Sequence, residues 1–381
     1  MILRVMRRSV VLACVIVCVS VSAFGADFKE ATFGPASLKI IEGVPVVHVY
    51  GTPEQMGQQQ GKLLGAAARV VHKAYFGKMF FPGGKDIGLR AAVLKMSRVM
   101  EKSIPAEYIK EMKAFAKAAG MKYEDILLAN TVFDIKRVIF CTTFVATGKR
   151  SADGKPVFGR NLDFPTMGVA HRFSCVVVYH PTKGRAVASV SFPGLIGVLS
   201  GLNDVGVAAA VMEVHLQGAQ IQAPPYAMVF RTALTEADTT AALTKVVTAR
   251  ARTSTNNLMV CDAAGNAVAL ELGLKKTAAR PLKDGFVYAT NHFRSKELGK
   301  PSRCWRIPKL KKVAKNGRKL DEAAAQKLLR SVSFESLTMQ SIVFRPASRE
   351  FLLAIGEPPA SKEKFVRLTS GVLFPKRKKN Q

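Results

Sequence analysis

At Cys141 the chain switches from helical to strand patterning, and the switch is abrupt. Upstream, over residues 51–130, apolar side chains recur at helical spacing. Thr52-Pro53-Glu54 reads as an N-cap with proline in the first helical position, and Tyr108, Ile109, Met112, Phe115 and Ala116 share one face of a second helix stopped at Gly120. Downstream, residues 142–147, 156–164, 172–179, 186–192 and 206–211 are β-branched runs parted by Gly, Pro or Asp. Residues 225–252 return to helix with a break at 237–240. Further strands are expected over 258–262, 267–272, 286–289, 341–344 and 350–355, and a helix over 321–330. Two groups of strands with helices between them predict a layered fold of helices and mostly antiparallel sheet.

The first two strands form a hairpin, because Asp153-Gly154 is a strong turn signal. Folding about residue 153 sets Cys141 opposite residues 164–166, close to Arg160, Asn161 and Asp163. A nearby cation favours thiolate over thiol, and a carboxylate can hold an ammonium group. The same spacing also suits a buried structural cysteine with a solvated arginine and aspartate, and spacing alone does not choose.

Composition narrows the function classes. With 48% hydrophobic residues the chain is not disordered, although its 57 Lys plus Arg against 27 Asp plus Glu leave a net charge of +30. That charge invites an anionic partner. Residues 1–25 carry Arg4, Arg7 and Arg8, an apolar run and small residues before Ala26, the pattern of a secretory signal cleaved after Gly25. Export removes Cys14 and Cys18 and leaves Cys141, Cys175, Cys261 and Cys304, too few and too scattered for a disulfide scaffold. There is no CxxC or Cys/His cluster, so no zinc site is expected, and without HExxH or GxSxG the usual hydrolase signatures are absent; no cofactor is expected. Lys309 to Lys319 and the tail Lys376-Arg377-Lys378-Lys379 are basic runs without interleaved aromatics. They suggest an anionic surface rather than a specific nucleic acid.

Cys141-Thr142-Thr143, then Asp153-Gly154-Lys155, then Gly159-Arg160-Asn161-Leu162-Asp163-Phe164 resembles the N-terminal-nucleophile (Ntn) hydrolases of the penicillin acyltransferase type, the peptidase C45 group. These are related to bile-salt hydrolases and acid-ceramidase-like amidases. The segment from Gly51 to Gly61, Gly201-Leu202-Asn203-Asp204-Val205-Gly206, Pro225 with Arg231, Asn291-His292-Phe293 and Ser302-Arg303 resemble later landmarks in order, so that the likeness covers about residues 40–356.

The resemblance implies an α+β fold, a four-layer αββα sandwich with mostly antiparallel sheets. It implies a precursor cut between Phe140 and Cys141, giving a helical N-terminal segment (26–140), a catalytic part (141–374) and a basic tail (375–381). The new Cys141 α-amine, with a pKa of about 8, would serve as base and the thiol as nucleophile. Asp163 would hold the amine, Arg160 would favour the thiolate, Asn291 would donate to the oxyanion, and Arg303 would line the site. Asn161, Ser302 and Glu213 would face the substrate. Glu213 stands where bile-salt hydrolases carry an oxyanion-hole asparagine, and an ionised glutamate there would oppose the oxyanion. His292 is expected to be a rim histidine. Met212, Met228 and Phe230 are expected either to line an acyl pocket or to belong to the core.

The implied partners are a small-molecule N-acyl substrate and the chain's own N-terminal piece, and the implied location is secreted or periplasmic. Two other readings stand beside this one: a catalytically silent Ntn-fold binding protein, and a basic module for an anionic polymer.

Overall fold

The computed structural model describes residues 27–81, 87–136, 138–216, 218–299 and 302–376. The signal expected over residues 1–25 and the tail from Arg377 onward lie outside the described residues.

Strands β1 (Ala31–Phe33), β2 (Ala36–Ile41) and β3 (Val44–Gly51) precede four helices, α1 (Pro53–Ala74), α2 (Ile87–Glu101), α3 (Ala106–Ala119) and α4 (Tyr123–Ile135). The N-terminal segment is therefore not only helical. Its β3 pairs in parallel with β6 (Cys175–Pro181), so residues ahead of Cys141 are woven into a sheet built mainly by residues after it. The hairpin strands are β4 (Phe140–Ala146) and β5 (Val157–Asp163). They are followed, after β6, by β7 (Val187–Ser191), β8 (Ser200–Asn203), β9 (Ala208–Glu213), α5 (Tyr226–Glu236) and α6 (Thr240–Thr248). Then come β10 (Asn256–Cys261), β11 (Ala267–Leu272), β12 (Thr277–Pro281), β13 (Phe286–Ala289), α7 (Arg306–Lys315) and α8 (Glu322–Ser331). The chain closes with β14 (Thr338–Arg345), β15 (Glu350–Ile355), β16 (Val366–Leu368) and α9 (Ser370–Leu373).

One sheet has ten strands in the order β1-β2-β3-β6-β7-β8-β9-β10-β11-β12; the other has six, β13-β4-β5-β14-β15-β16. They face each other where β4 lies on β9 and β10. On the outside of the larger sheet α1 covers β3, α5 covers β7 to β9, and α6 covers β10 and β11. On the outside of the smaller sheet α7 covers β13, and α8 covers β5 and β14. This is the α+β, four-layer αββα sandwich with mostly antiparallel sheets. Burial on both faces explains why β4, β6 and β9 read as nearly continuous apolar runs.

Helix α1 starts where its cap says. Thr52 Oγ1 accepts from Gln55 N–H at 3.3 Å and Gln55 Oε1 accepts from Thr52 N–H at 2.8 Å. Its glycines at 57, 61 and 65 form a stripe against α3: a Cβ at Gly61 would stand 2.5 Å from the Phe115 carbonyl oxygen. Replacing Gly61 with Val should therefore force the two helices apart and lower stability by about 1–3 kcal/mol, read as an earlier midpoint in urea. Beneath the helix pair, Glu111 holds Arg231 at 2.9 Å with both side chains buried, and Gln60 adds a hydrogen bond of 2.9 Å to Glu111.

Met212, Met228 and Phe230 are all buried among core side chains. Among the described residues no helix is long and apolar enough to cross a membrane, and no cluster of three or more His, Cys, Asp or Glu could hold a metal ion.

Candidate active site

The hairpin register differs from the expected one. Cys141 pairs with Leu162 and Thr143 with Arg160. The connection is a ten-residue excursion through a short 3-10 turn at Gly148–Arg150, within which Asp153-Gly154 is only the last bend. Alternation along a strand then divides the motif between two faces. Cys141, Thr143, Arg160 and Leu162 point between the sheets. Thr142, Asn161 and Asp163 point toward α7 and α8, as their hydrogen bonds show: Asn161 with Leu329 and Ser333, Thr142 with Arg306.

Five elements meet at the start of β4. From the segment after β13, Asn291 Oδ1 accepts from Cys141 N–H at 2.8 Å, while its Nδ2 donates to the carbonyls of Ile139 (3.1 Å) and Glu213 (2.8 Å). From the first turn of α7, Arg306 donates to the Cys141 carbonyl at 2.6 Å, to Thr142 Oγ1 at 2.9 Å and to Asn291 Oδ1 at 2.9 Å. A guanidinium at a helix N-terminus opposes the helix dipole, so Arg306 owes its place to these acceptors and to Asp163, 3.6 Å away. From the end of β9, Glu213 accepts from Ile139 N–H and from the Tyr226 hydroxyl, each at 2.8 Å.

Burial dominates the electrostatics. It pushes the Cys141 thiol up to about 11 against the pull of Arg160, so this sulfur is protonated at neutral pH. It raises Asp163 to about 6 against Arg306, Thr338 and Arg160. It also raises Glu213 against its donors. Arg160 spends two of its donors on Ser200 Oγ (3.0 Å) and the Asn161 carbonyl (3.1 Å). Three buried atoms here, Arg160 Nη2, Asp163 Oδ2 and Arg306 Nε, have no hydrogen-bond partner. Buried polar groups are rarely left so, and a cluster of them marks a place that a further polar group can enter.

The expected site residues thus separate. Cys141, Arg160, Asp163, Asn291 and Glu213 converge, all buried. The Cys141 N–H rests on Asn291; Asp163 is engaged by Thr338 at 2.5 Å instead. Glu213 takes hydrogen bonds from Ile139 and Tyr226, so its carboxyl is occupied in holding the residues ahead of Cys141. Asn161 is consumed in bracing α8 and β14, with Ser341 at 2.7 Å and the Leu329 carbonyl at 2.9 Å. Arg303 is exposed at the mouth of a cavity of about 440 Å³ beside Phe140, and Ser302 lines the neighbouring cavity of about 610 Å³. Sequence reasoning missed Arg306, Tyr226 and His215. Arg306 opens α7 three residues after Arg303, and nothing in the local sequence marks it as the arginine that turns inward.

A profile of the acyl-coenzyme A:6-aminopenicillanic acid acyl-transferase family matches residues 150–341. The chain belongs to this family. Its Ntn-hydrolase character agrees with the motif from Cys141 to Phe164, although the match itself starts past Cys141. An uncharacterized protein of Archaeoglobus fulgidus is 29% identical over 194 residues, which are 44% of this chain and 32% of that protein. Protein dcd1A of Dictyostelium discoideum is 23% identical over 192 residues, 43% of each chain. The chain therefore matches less than half of the length of these relatives. Among solved structures, the Caenorhabditis elegans ortholog of N-acylethanolamine-hydrolyzing acid amidase superposes with a TM-score of 0.43 at 21% identity, covering 54% of this chain and 93% of that one.

A second thiol stands at the rim of this family member's site. Cys304 lines both cavities and is half-buried. Burial would raise its thiol, yet a hydrogen bond with His292 and the nearby Arg306 guanidinium bring it down to about 6. At pH 7 this sulfur is then mostly thiolate. Buried Cys175 is pushed up to about 12, and Cys261 is raised as well. Iodoacetamide at pH 7 should therefore label Cys304 well ahead of Cys175 and Cys261. The rate should fall as pH drops through about 6, and peptide mass mapping would locate the label. Labelling that ignores pH between 5 and 8 would contradict this.

Proposed function

We propose that the protein is an exported, self-processing cysteine Ntn hydrolase that cleaves the acyl–nitrogen bond of an N-acyl or amide substrate. The observation that carries this reading is the meeting of Asn291, Arg306 and Arg160 on one residue, Cys141, near the start of a strand in a chain of this family.

In processing, the Cys141 thiol adds to the Phe140 carbonyl carbon. The Phe140–Cys141 C–N bond breaks as the C–S bond forms, and the thiol proton passes to the departing amine. Water then hydrolyses the thioester, leaving a Phe140 carboxylate and restoring the thiol. The freed α-amine stays within reach of Asn291 Oδ1 and can turn to Asp163 Oδ2, which faces Arg306 but accepts no hydrogen bond. In turnover, this amine takes the thiol proton and the sulfur attacks the substrate acyl carbon. The protonated amine then gives its proton to the leaving nitrogen, and water releases the acid. Asn291 Nδ2, now committed to the Ile139 carbonyl, is available to an oxyanion once that segment withdraws. Arg160, in the same dry pocket, supports the thiolate.

Hydrolysis is favoured over transfer from a coenzyme A thioester because residues 1–25 read as an export signal. The outward lysines of α7 (Lys309, Lys311, Lys312 and Lys315) support electrostatic association with an anionic surface outside the cytoplasm. The test is a panel of N-acyl amino acids, N-acyl amines and penicillins incubated with the cleaved protein. Release of an amine and a carboxylic acid is expected from at least one class, and a panel left intact by cleaved protein overturns the reading.

A further inference from the structure

The residues just ahead of Cys141 are held in more detail than a connecting segment needs. Ile139 N–H donates to Glu213 Oε2 at 2.8 Å, and its carbonyl accepts from Asn291 Nδ2 at 3.1 Å and faces His215 Nε2 at 3.3 Å. The Phe140 ring stands edge-on to His215 with centroids 4.9 Å apart and tilts against Phe334 at 5.9 Å. Trp305 closes the corner edge-on to Phe334 at 5.5 Å, and the cavity of about 440 Å³ continues past the ring. A backbone N–H, a backbone carbonyl and an aromatic side chain are thus each matched to a separate feature of the site.

We infer that this segment is a template for the substrate: the site takes an N-acylated dipeptidyl amide, a short peptide-like compound with a phenyl-type ring beside the reacting carbonyl and, one residue further back, an N–H in the place of Ile139 N–H. This rests on Cys141 being the attacking group, since the template is defined by its position relative to that sulfur. Once the cut segment swings out, the Glu213 carboxyl and the aromatic corner remain behind. A linear alkanoyl chain would leave the carboxyl without the donor that Ile139 supplies, and a site built around hydrogen-bonding groups rejects ligands that leave them unpaired. An aliphatic residue in the place of Phe140 would still satisfy Glu213 but leave the aromatic corner empty.

The test compares kcat/KM of cleaved protein on amides of one chromogenic amine: N-acetyl-alanyl-phenylalanyl, N-acetyl-alanyl-alanyl, N-acetyl-phenylalanyl and octanoyl. The N-acetyl-alanyl-phenylalanyl amide should lead N-acetyl-alanyl-alanyl by ~10–200-fold, and should lead N-acetyl-phenylalanyl, which lacks the N–H one residue back, by at least ~10²-fold. Phe334→Ala should cost the phenylalanyl amides far more than N-acetyl-alanyl-alanyl and so erase most of the phenylalanyl-over-alanyl preference. Glu213→Gln should lower the rate on the two alanyl-extended amides more than on N-acetyl-phenylalanyl, a split that a purely structural role would not produce. Octanoyl or N-acetyl-phenylalanyl amides cleaved as fast as N-acetyl-alanyl-phenylalanyl overturn the template and leave Cys141 as the nucleophile. Failure of the cleaved protein to release amine from any of the four overturns both.

Discussion

Cys141→Ala is expected to leave a single uncut polypeptide with no measurable amide turnover, whereas the wild-type chain should resolve into two pieces, one ending at Phe140 and one beginning at Cys141. Removing the nucleophile from a catalytic unit whose members act together typically costs ~10⁶ in kcat, so any residual rate should be indistinguishable from background. Intact-mass measurement reads the cut and an amine-release assay reads the turnover. Because Cys304 carries the more thiolate-like sulfur, a labelling experiment aimed at Cys141 needs a Cys304→Ser background to be interpretable. Wild-type protein that stays in one piece and still hydrolyses amides would overturn the mechanism, since without the cut there is no α-amine to act as base.

Arg306→Met should lower kcat/KM by ~10²–10³, and Arg303→Ala by no more than about threefold. Arg306 donates to the Cys141 carbonyl, Thr142 and Asn291 and faces Asp163; Arg303 lies exposed at the cavity mouth. Arg306→Lys keeps the charge but loses the planar fork, and it should recover only part of the loss. The sign of the pH effect follows from Asp163. Burial already raises its carboxyl to about 6, and Arg306 is the first influence opposing that rise. Without the guanidinium the carboxyl moves higher, so an activity that needs it ionised must show its acid limb displaced to higher pH. An unmoved acid limb in a folded, cleaved Arg306→Met protein would remove Asp163 from the working site. Arg303→Ala matching the loss of Arg306→Met would restore Arg303 as the principal cation.

Much of the architecture was legible because it is written locally. The cap at Thr52, the stop at Gly120 and the break between α5 and α6 are each decided by residues within one or two turns. The two strand groups follow from β-branched runs and their turn residues in the same way. Less was legible where a strand joins from far away. Strands β1 to β3 drew no expectation; they pair locally with one another, and β3 alone ties them to the sheet through β6, more than a hundred residues on. The hairpin register slipped for a related reason: Asp153-Gly154 marks a bend, but the number of residues looped out around it is set by the short 3-10 turn and by Gly148 N–H bonding to the Gly154 carbonyl.

The candidate site divides along the same line. Sequence alone placed Cys141 at the head of a strand and put Arg160 and Asp163 on the next one, because a two-residue alternation and a turn need only near neighbours. It could not say that Asn161 would be spent on α8, since Leu329 and Ser333 approach only when that helix packs on β5. It also named Arg303 and passed over Arg306. Only the docking of α7, with Ile307 and Leu310 buried beneath it, turns Arg306 toward Asp163 and leaves Arg303 in solvent. Glu213 is the clearest case. As a letter in the sequence it was a charge in the wrong place for an oxyanion; in the folded chain it accepts the backbone of Ile139, a contact made only because the two sheets close face to face over the start of β4.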